Sequence, residues 1–92
     1  MKPTRTALKE YDLVELAVDR DYYSKHGVYK GMQGTICSEK RIKGYALVEF
    51  SLYGEGGSIA VIDVRDEDLY VITEVDDWIN DRIKAEHNRN FM

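Results

Sequence analysis

Few side chains in this sequence have the chemistry to act on a covalent bond, and their spacing argues against most of it. Cys37 and His26 or His87 are the only thiol and imidazoles available. A thiol nucleophile needs a base in hydrogen-bond reach and a neighbour that lowers its pKa. Cys37 follows Ile36 in a short strand-like run, where a small apolar side chain fits, and His26 stands in a long polar segment. A structural cysteine is the better reading. The histidines are far apart, and no Cys-x-x-Cys, His-x-x-x-His or calcium-loop spacing occurs, so neither a metal nor a cofactor is expected. Asp66, Glu67 and Asp68 could hold a cation loosely, but a solvated corner turn explains them better. Paired carboxylates need a cleft that sets their pKa values apart, and a chain of 92 residues has little room for one. Gly54-Glu55-Gly56-Gly57 precedes a strand rather than a helix, so it is no phosphate cradle. The expectation is a protein that binds rather than catalyses.

Two segments have the composition of binding surfaces. Between residues 19 and 33, Tyr22, Tyr23 and Tyr29 are interleaved with Arg20, Lys25 and Lys30. Such a mixture suits stacking on bases or gripping an acidic peptide. The competing reading packs the rings over the end of the fold and leaves the lysines in water. The second segment, Asp63 to Asp81, carries Asp63, Asp66, Glu67, Asp68, Glu74, Asp76, Asp77 and Asp81 against Arg65 alone. Carboxylates at this density speed association with a basic surface and turn away wrong partners. Asp66, Glu67, Asp68, Asp76 and Asp77 are the candidates for that contact; helix-end charge and solubility are the competing reading. The net charge of -4 and pI near 5.1 argue against a general nucleic-acid binder.

The elements that must position these groups follow from periodicity. Val14, Leu16 and Val18 alternate as in a half-buried strand. Residues 19–33 show no apolar period and read as a long loop, folding back as a loose hairpin. Gly34–Ser38 is a short second strand with Ile36 in the core, Lys40–Gly44 a turn, and Tyr45–Ser51 the clearest strand. A flexible turn at 54–57 leads to Ile59–Val64, a charged 3₁₀ corner covers Arg65–Asp68, and Leu69–Ile72 is the fifth strand. The period then changes. Val75, Trp78, Ile79 and Ile83 share one helical face, predicting a helix from about Glu74 to about Glu86 with Thr73 as N-cap. Acids fill its first turn and Arg82, Lys84 and His87 lie near its end, matching the macrodipole. Trp78 is expected in the core, sealing the barrel.

Ninety-two residues suit one domain: a flexible arm at 1–9, a barrel at 10–72 and a helix at 73–87. The fold class expected is mainly β, a five-stranded SH3-like antiparallel barrel with a C-terminal α-helix. One cysteine excludes an intrachain disulfide and suits a reducing, cytoplasmic setting. No signal peptide or membrane span is expected.

The runs Tyr11-Asp12-Leu13-Val14-Glu15-Leu16, Gly27-Val28-Tyr29-Lys30-Gly31-Met32-Gln33-Gly34-Thr35-Ile36, Leu47-Val48-Glu49-Phe50 and Ile59 through Leu69 resemble a bacterial family of small SH3-like barrel proteins catalogued as a domain of unknown function. The resemblance covers residues 10–72. It implies the fold more firmly than a function. Beyond the fold it implies a place in toxin–immunity loci, where an acidic protein plugs a toxin's active site, and a nuclease toxin presents the basic surface required. The leading expectation is therefore an immunity or antitoxin protein that neutralises a basic toxin domain by occlusion, through Asp66, Glu67, Asp68, Asp76, Asp77 and the loop residues Tyr22, Tyr23, Tyr29 and Lys30. The alternative is a nucleic-acid-binding SH3-like or KOW-like module using the loop 19–33. A purely structural subunit is a third reading; the chain is expected to be a monomer or weak homo-oligomer. Proline-rich ligands are disfavoured, because Trp78 lies on the helix and no tryptophan shelf remains in the strands.

Overall fold

Alternating aliphatic residues build the sheet. In the computed structural model, which describes residues 8–37, 43–54 and 57–89, the strands are β1 (Leu13–Leu16), β2 (Gln33–Ile36), β3 (Tyr45–Ser51), β4 (Ser58–Arg65) and β5 (Leu69–Val71). They form one antiparallel sheet in the order β4-β3-β2-β1-β5. A one-turn helix, α1 (Asp21–Ser24), interrupts the first connection, a 3₁₀ turn at Asp66–Asp68 precedes β5, and α2 (Ile79–Arg89) ends the described chain. Among the described residues no ladder joins β4 to β5, so these are the sheet's two edges, not partners closing a barrel.

The core face follows the period of two. Val14 and Leu16, Ile36, Ala46, Val48 and Phe50, Ile62 and Val64, and Leu69 point inward and are buried. Gly34 sits where β2 presses on β3. A Cβ there would come within 2.6 Å of the Glu49 carbonyl and 2.9 Å of Val48. Only a residue without a side chain permits that approach.

The expected loose hairpin at 19–33 is instead a packed part of the core. It buries Tyr23, Val28 and Met32, each worth about 1.5–3 kcal/mol when removed from water. Its return limb runs beside β1: the Leu16 N–H donates to the Met32 carbonyl at 2.9 Å, and the Gly31 N–H to the Leu16 carbonyl at 2.9 Å. The predicted turn at Lys40–Gly44 and the glycine turn at 54–57 lie partly outside the described residues, as do Ser38 and most of the arm.

The helix starts later than its apolar spacing implied. Residues 76–79 form a turn held by Asp76, whose carboxylate accepts from the Trp78 N–H at 3.1 Å and pairs with Arg82, while its carbonyl accepts from the Ile79 N–H at 3.0 Å. Thr73 is therefore not the cap. Trp78 is 51% exposed and Val75 is exposed, which corrects their expected place in the core. The stripe that actually docks is Asn80, Ile83 and His87, at i, i+3 and i+7. Asn80 is buried, Ile83 packs on the core, and the His87 ring stacks on Tyr29 at 3.5 Å with planes 8° apart.

Candidate functional site

The loop and the 3₁₀ turn meet at a buried carboxylate. Asp68 is 2% exposed. It accepts from Arg20 Nε at 2.8 Å, Arg20 Nη2 at 2.9 Å and the Tyr23 hydroxyl at 2.6 Å. The hydroxyl in turn accepts from the Arg65 backbone N–H at 3.2 Å. A forked guanidinium is the donor that best fits a carboxylate. Hydrogen bonds from Arg20 hold Asp68 below its ordinary pKa, against the opposing effect of burial. Burial, reinforced by the Asp68 hydrogen bond, pushes the Tyr23 phenol up to about 12.

These shifts set the expected pH dependence. A depressed carboxylate contributes stability above its unfolded pKa of about 3.9 and loses it as pH falls through the folded value. A raised phenol contributes fully below about 10, its unfolded value, and loses the contribution as pH rises towards about 12. Thermal melts should therefore show an acid limb below about pH 4 and an alkaline limb between about 10 and 12. Tyr23→Phe should flatten the alkaline limb; a limb unchanged by that variant would assign it to other groups.

Beside this cluster lies a cleft of about 340 Å³ lined by Arg20, Tyr22, Tyr23, Tyr45, Asp63 and Arg65. Tyr45 and Arg65 are register partners across β3 and β4, so their side chains share the outer face with Asp63, two residues back along β4. Tyr22 is fixed by edge contacts with Tyr23 at 5.8 Å and His26 at 5.0 Å, and Lys25 Nζ lies 5.3 Å from its ring centre.

A second cleft, of about 230 Å³, opens between the sheet and the turn that leads into α2. Apolar walls from Leu13, Ile72, Val75 and Ile79 alternate with Glu49, Asp76 and Asp77. Tyr53, 55% exposed, lines it as well, and the ring of Trp78, 51% exposed, meets the Tyr53 ring edge to face at 4.9 Å. Trp78 lies directly over Gly54: a Cβ at that glycine would meet the indole at 2.7 Å. Asp81 accepts from the Tyr53 and Gly54 N–H groups at 2.8 and 3.1 Å, tying the end of β3 to α2.

Asn80 closes the floor of this cleft. Its Oδ1 accepts from the Gln33 N–H at 2.7 Å, and its Nδ2 donates to the carbonyls of Gln33 at 2.7 Å and Ser51 at 2.9 Å. The side chain thus substitutes for a neighbouring strand at the point where the β3–β4 register slips between Phe50 and Ser51. The Gln33 side chain accepts from the Asp76 N–H at 3.0 Å and donates to Glu15, which fixes the turn as well.

The structure divides the residues singled out from sequence. Asp68 and Tyr23 face inward and hold the fold. Asp76 is engaged with Arg82 and its own turn, whereas Glu67 and Asp77 are exposed and Asp66 is half-buried. Residues 66–68 precede β5 and residues 76–77 follow it, so that strand stands between the two acidic groups. Tyr22 lines the Tyr/Arg cleft, while Tyr29 is stacked on His87 and Lys30 is exposed, its N–H donating to Asp19 at 2.7 Å. Sequence reasoning missed Tyr45, Tyr53, Arg65 and Asn80. For Asn80 the available signal was its place on one helical stripe with Ile83 and His87.

Cys37 follows β2, and burial together with the nearby Glu49 charge pushes its thiol up, the opposite of activation. His26 packs against Tyr22 in the loop. Among the described residues no group of three or more histidines, cysteines or acids could hold a metal ion, and no helix is long and apolar enough to cross a membrane. A scan against protein-family models gives no match, and searches of curated proteins and of solved structures give none either.

Proposed function

We propose that the chain is a non-enzymatic protein-binding module on an SH3-like framework, with a basic protein domain as its partner. The framework reading is supported by five antiparallel strands, a long first connection folded onto the sheet, and a 3₁₀ turn just before the last strand. The likeness of residues 10–72 to the bacterial SH3-like family belongs to the same proposal. So does the role it implies, an immunity or antitoxin protein that neutralises a toxin by covering it. A reducing compartment such as the cytoplasm suits the free Cys37 thiol.

One observation carries the reading: Trp78 is half in water with its ring edge-on to Tyr53, and Tyr53 lines a cleft that also holds Val75, Glu49, Asp76 and Asp77. Tryptophan and tyrosine dominate the energetics of protein interfaces, because a large rigid ring fills a partner's pocket at little entropic cost. Here the indole packs on Gly54 and edge-on against Tyr53, which limits the orientations open to it. The carboxylates around it add steering and exclude acidic competitors. Occlusion is the mechanism: the two rings seat in the partner while the acidic rim pairs with its basic groups.

The test is affinity capture from the native host with wild-type protein and two variants, Trp78→Ala and Asp77→Lys. A basic partner should be retained by the wild type, and each variant should weaken it at least about tenfold, the cost of losing one interface anchor. Absence of any retained protein, or retention indifferent to both substitutions, would sink the proposal.

A further inference from the structure

The cleft between the loop and the β3–β4 ladder differs in kind from the one floored by Asn80. Its lining contains three phenol rings, two guanidinium groups and one carboxylate, with no aliphatic side chain among them. A groove for a peptide's apolar anchors needs aliphatic walls, as the other cleft has. A cage for a methylated cation needs rings and acids, and the two arginines would repel such a guest. Flat rings, planar guanidinium groups and a hydrogen-bonding edge match a nucleobase, which stacks on tyrosine or arginine and presents polar atoms in its plane. About 340 Å³ is also the scale of a small-ligand site.

The surrounding charge agrees with this guest. Arg20 spends two donors on Asp68, and a guanidinium has five. Arg65 is exposed, 4.0 Å from Glu67, and bonds the Tyr23 hydroxyl through its backbone, so its side chain can turn to a ligand without loosening the fold. Lys25, over the Tyr22 ring, adds a third cation beside the cleft in a chain whose net charge is -4. Arginines beside stacking rings are groups a single strand uses, while Asp63 in the lining and the carboxylates of Asp68 and Glu67 beside the arginines keep the number of phosphate contacts small.

We infer that this cleft seats one nucleotide unit of single-stranded nucleic acid, with the base against Tyr22 and Tyr45 and the phosphate on Arg65. The seat lies apart from the Trp78 and Tyr53 rings, so it stands or falls independently of the proposed protein partner. With few phosphates neutralised, binding should be weak and should decline only gently with salt, by a log–log slope of about 0.7 per phosphate.

The test is fluorescence anisotropy with labelled eight-nucleotide uridine RNA and thymidine DNA, with unlabelled AMP and UMP as competitors. The expected result is saturable binding that Tyr22→Ala and Arg65→Glu each weaken about tenfold or more, the scale of a lost stacking or phosphate contact. Tyr22→Phe should restore it, because the ring remains. Lys84→Glu, a charge reversal on exposed α2, should leave it unchanged. Competition by mononucleotides at concentrations similar to the oligonucleotides would identify a free nucleotide as the source of the same chemistry; preference for the strands would identify nucleic acid. Thermal melts establish that each variant is folded. Lack of saturable binding, affinity indifferent to both Tyr22→Ala and Arg65→Glu, or tighter binding of a phosphotyrosine peptide would overturn the assignment.

Discussion

Asp68→Ala should lower the unfolding free energy by about 3 kcal/mol and the melting temperature by roughly 12–24 °C. The carboxylate joins the loop to the 3₁₀ turn through Arg20 and Tyr23, and its backbone carbonyl accepts from the Ala17 N–H at 2.8 Å. Removing it strands the Tyr23 hydroxyl in the core, where an unmatched donor costs about 1–3 kcal/mol. Arg20 is 42% exposed and can turn to water, which keeps the loss below that of a fully enclosed pair. A domain of this size has about 5–10 kcal/mol in total, so the variant should be folded but fragile. Asp68→Asn keeps an acceptor for Tyr23 and should cost less, about 1–2 kcal/mol. Urea unfolding of both variants checks the order; equal losses would mean that the acceptor kept by asparagine contributes nothing and the charge on Asp68 carries the whole effect.

The second large effect is expected at Asn80. Asn80→Ala abandons the Gln33 N–H and the carbonyls of Gln33 and Ser51, for a loss of about 2–4 kcal/mol. Asn80→Asp is the sharper probe. Its carboxylate would face two carbonyls, so the folded state would favour the protonated acid and raise its pKa. Stability of that variant should be greatest in mild acid and fall as pH rises through the raised value, opposite in sign to the contribution of Asp68. Melts of Asn80→Asp between pH 3 and 8, compared with wild type, read this directly. A parallel pair of curves would show that the Asn80 amide does not hold these carbonyls. Because the same side chain floors the cleft that Tyr53 lines, either substitution should also weaken partner binding.

The strands were legible because each puts aliphatic residues at every second position, and Val14/Leu16 or Ala46/Val48/Phe50 can face only one way. The 3₁₀ corner at Asp66–Asp68 was legible from its charge. Closure of the sheet into a barrel was not: the pairing of edge strands depends on twist and on what covers β4 and β5, and no local pattern records it. The loop defeated sequence reading because the burial of Tyr23 depends on a carboxylate 45 residues away. The start of α2 was misplaced because Val75 and Trp78 continue the helical spacing of Ile79 and Ile83. The Asp76 turn takes them off that face. Hydropathy also hides Asn80, a polar residue whose burial makes sense only beside the open backbone of β2 and β3.

The binding residues were legible in part. The tyrosine–arginine composition of the loop pointed to Tyr22 and Tyr23, yet their cleft needs Tyr45 and Arg65 from the β3–β4 ladder. The acidic tract pointed to Asp76 and Asp77, yet the aromatic pair beside them joins residues 53 and 78 only through the fold.

The single tryptophan makes the central claim directly measurable. Its indole N–H gives one resonance in a proton–nitrogen correlation spectrum of labelled protein. On titration with the captured basic partner, the Trp78 indole and the Tyr53 amide should shift or broaden to saturation while the Tyr29 amide, beneath His87, stays in place. A saturated complex in which the Trp78 indole resonance has not moved would contradict the account.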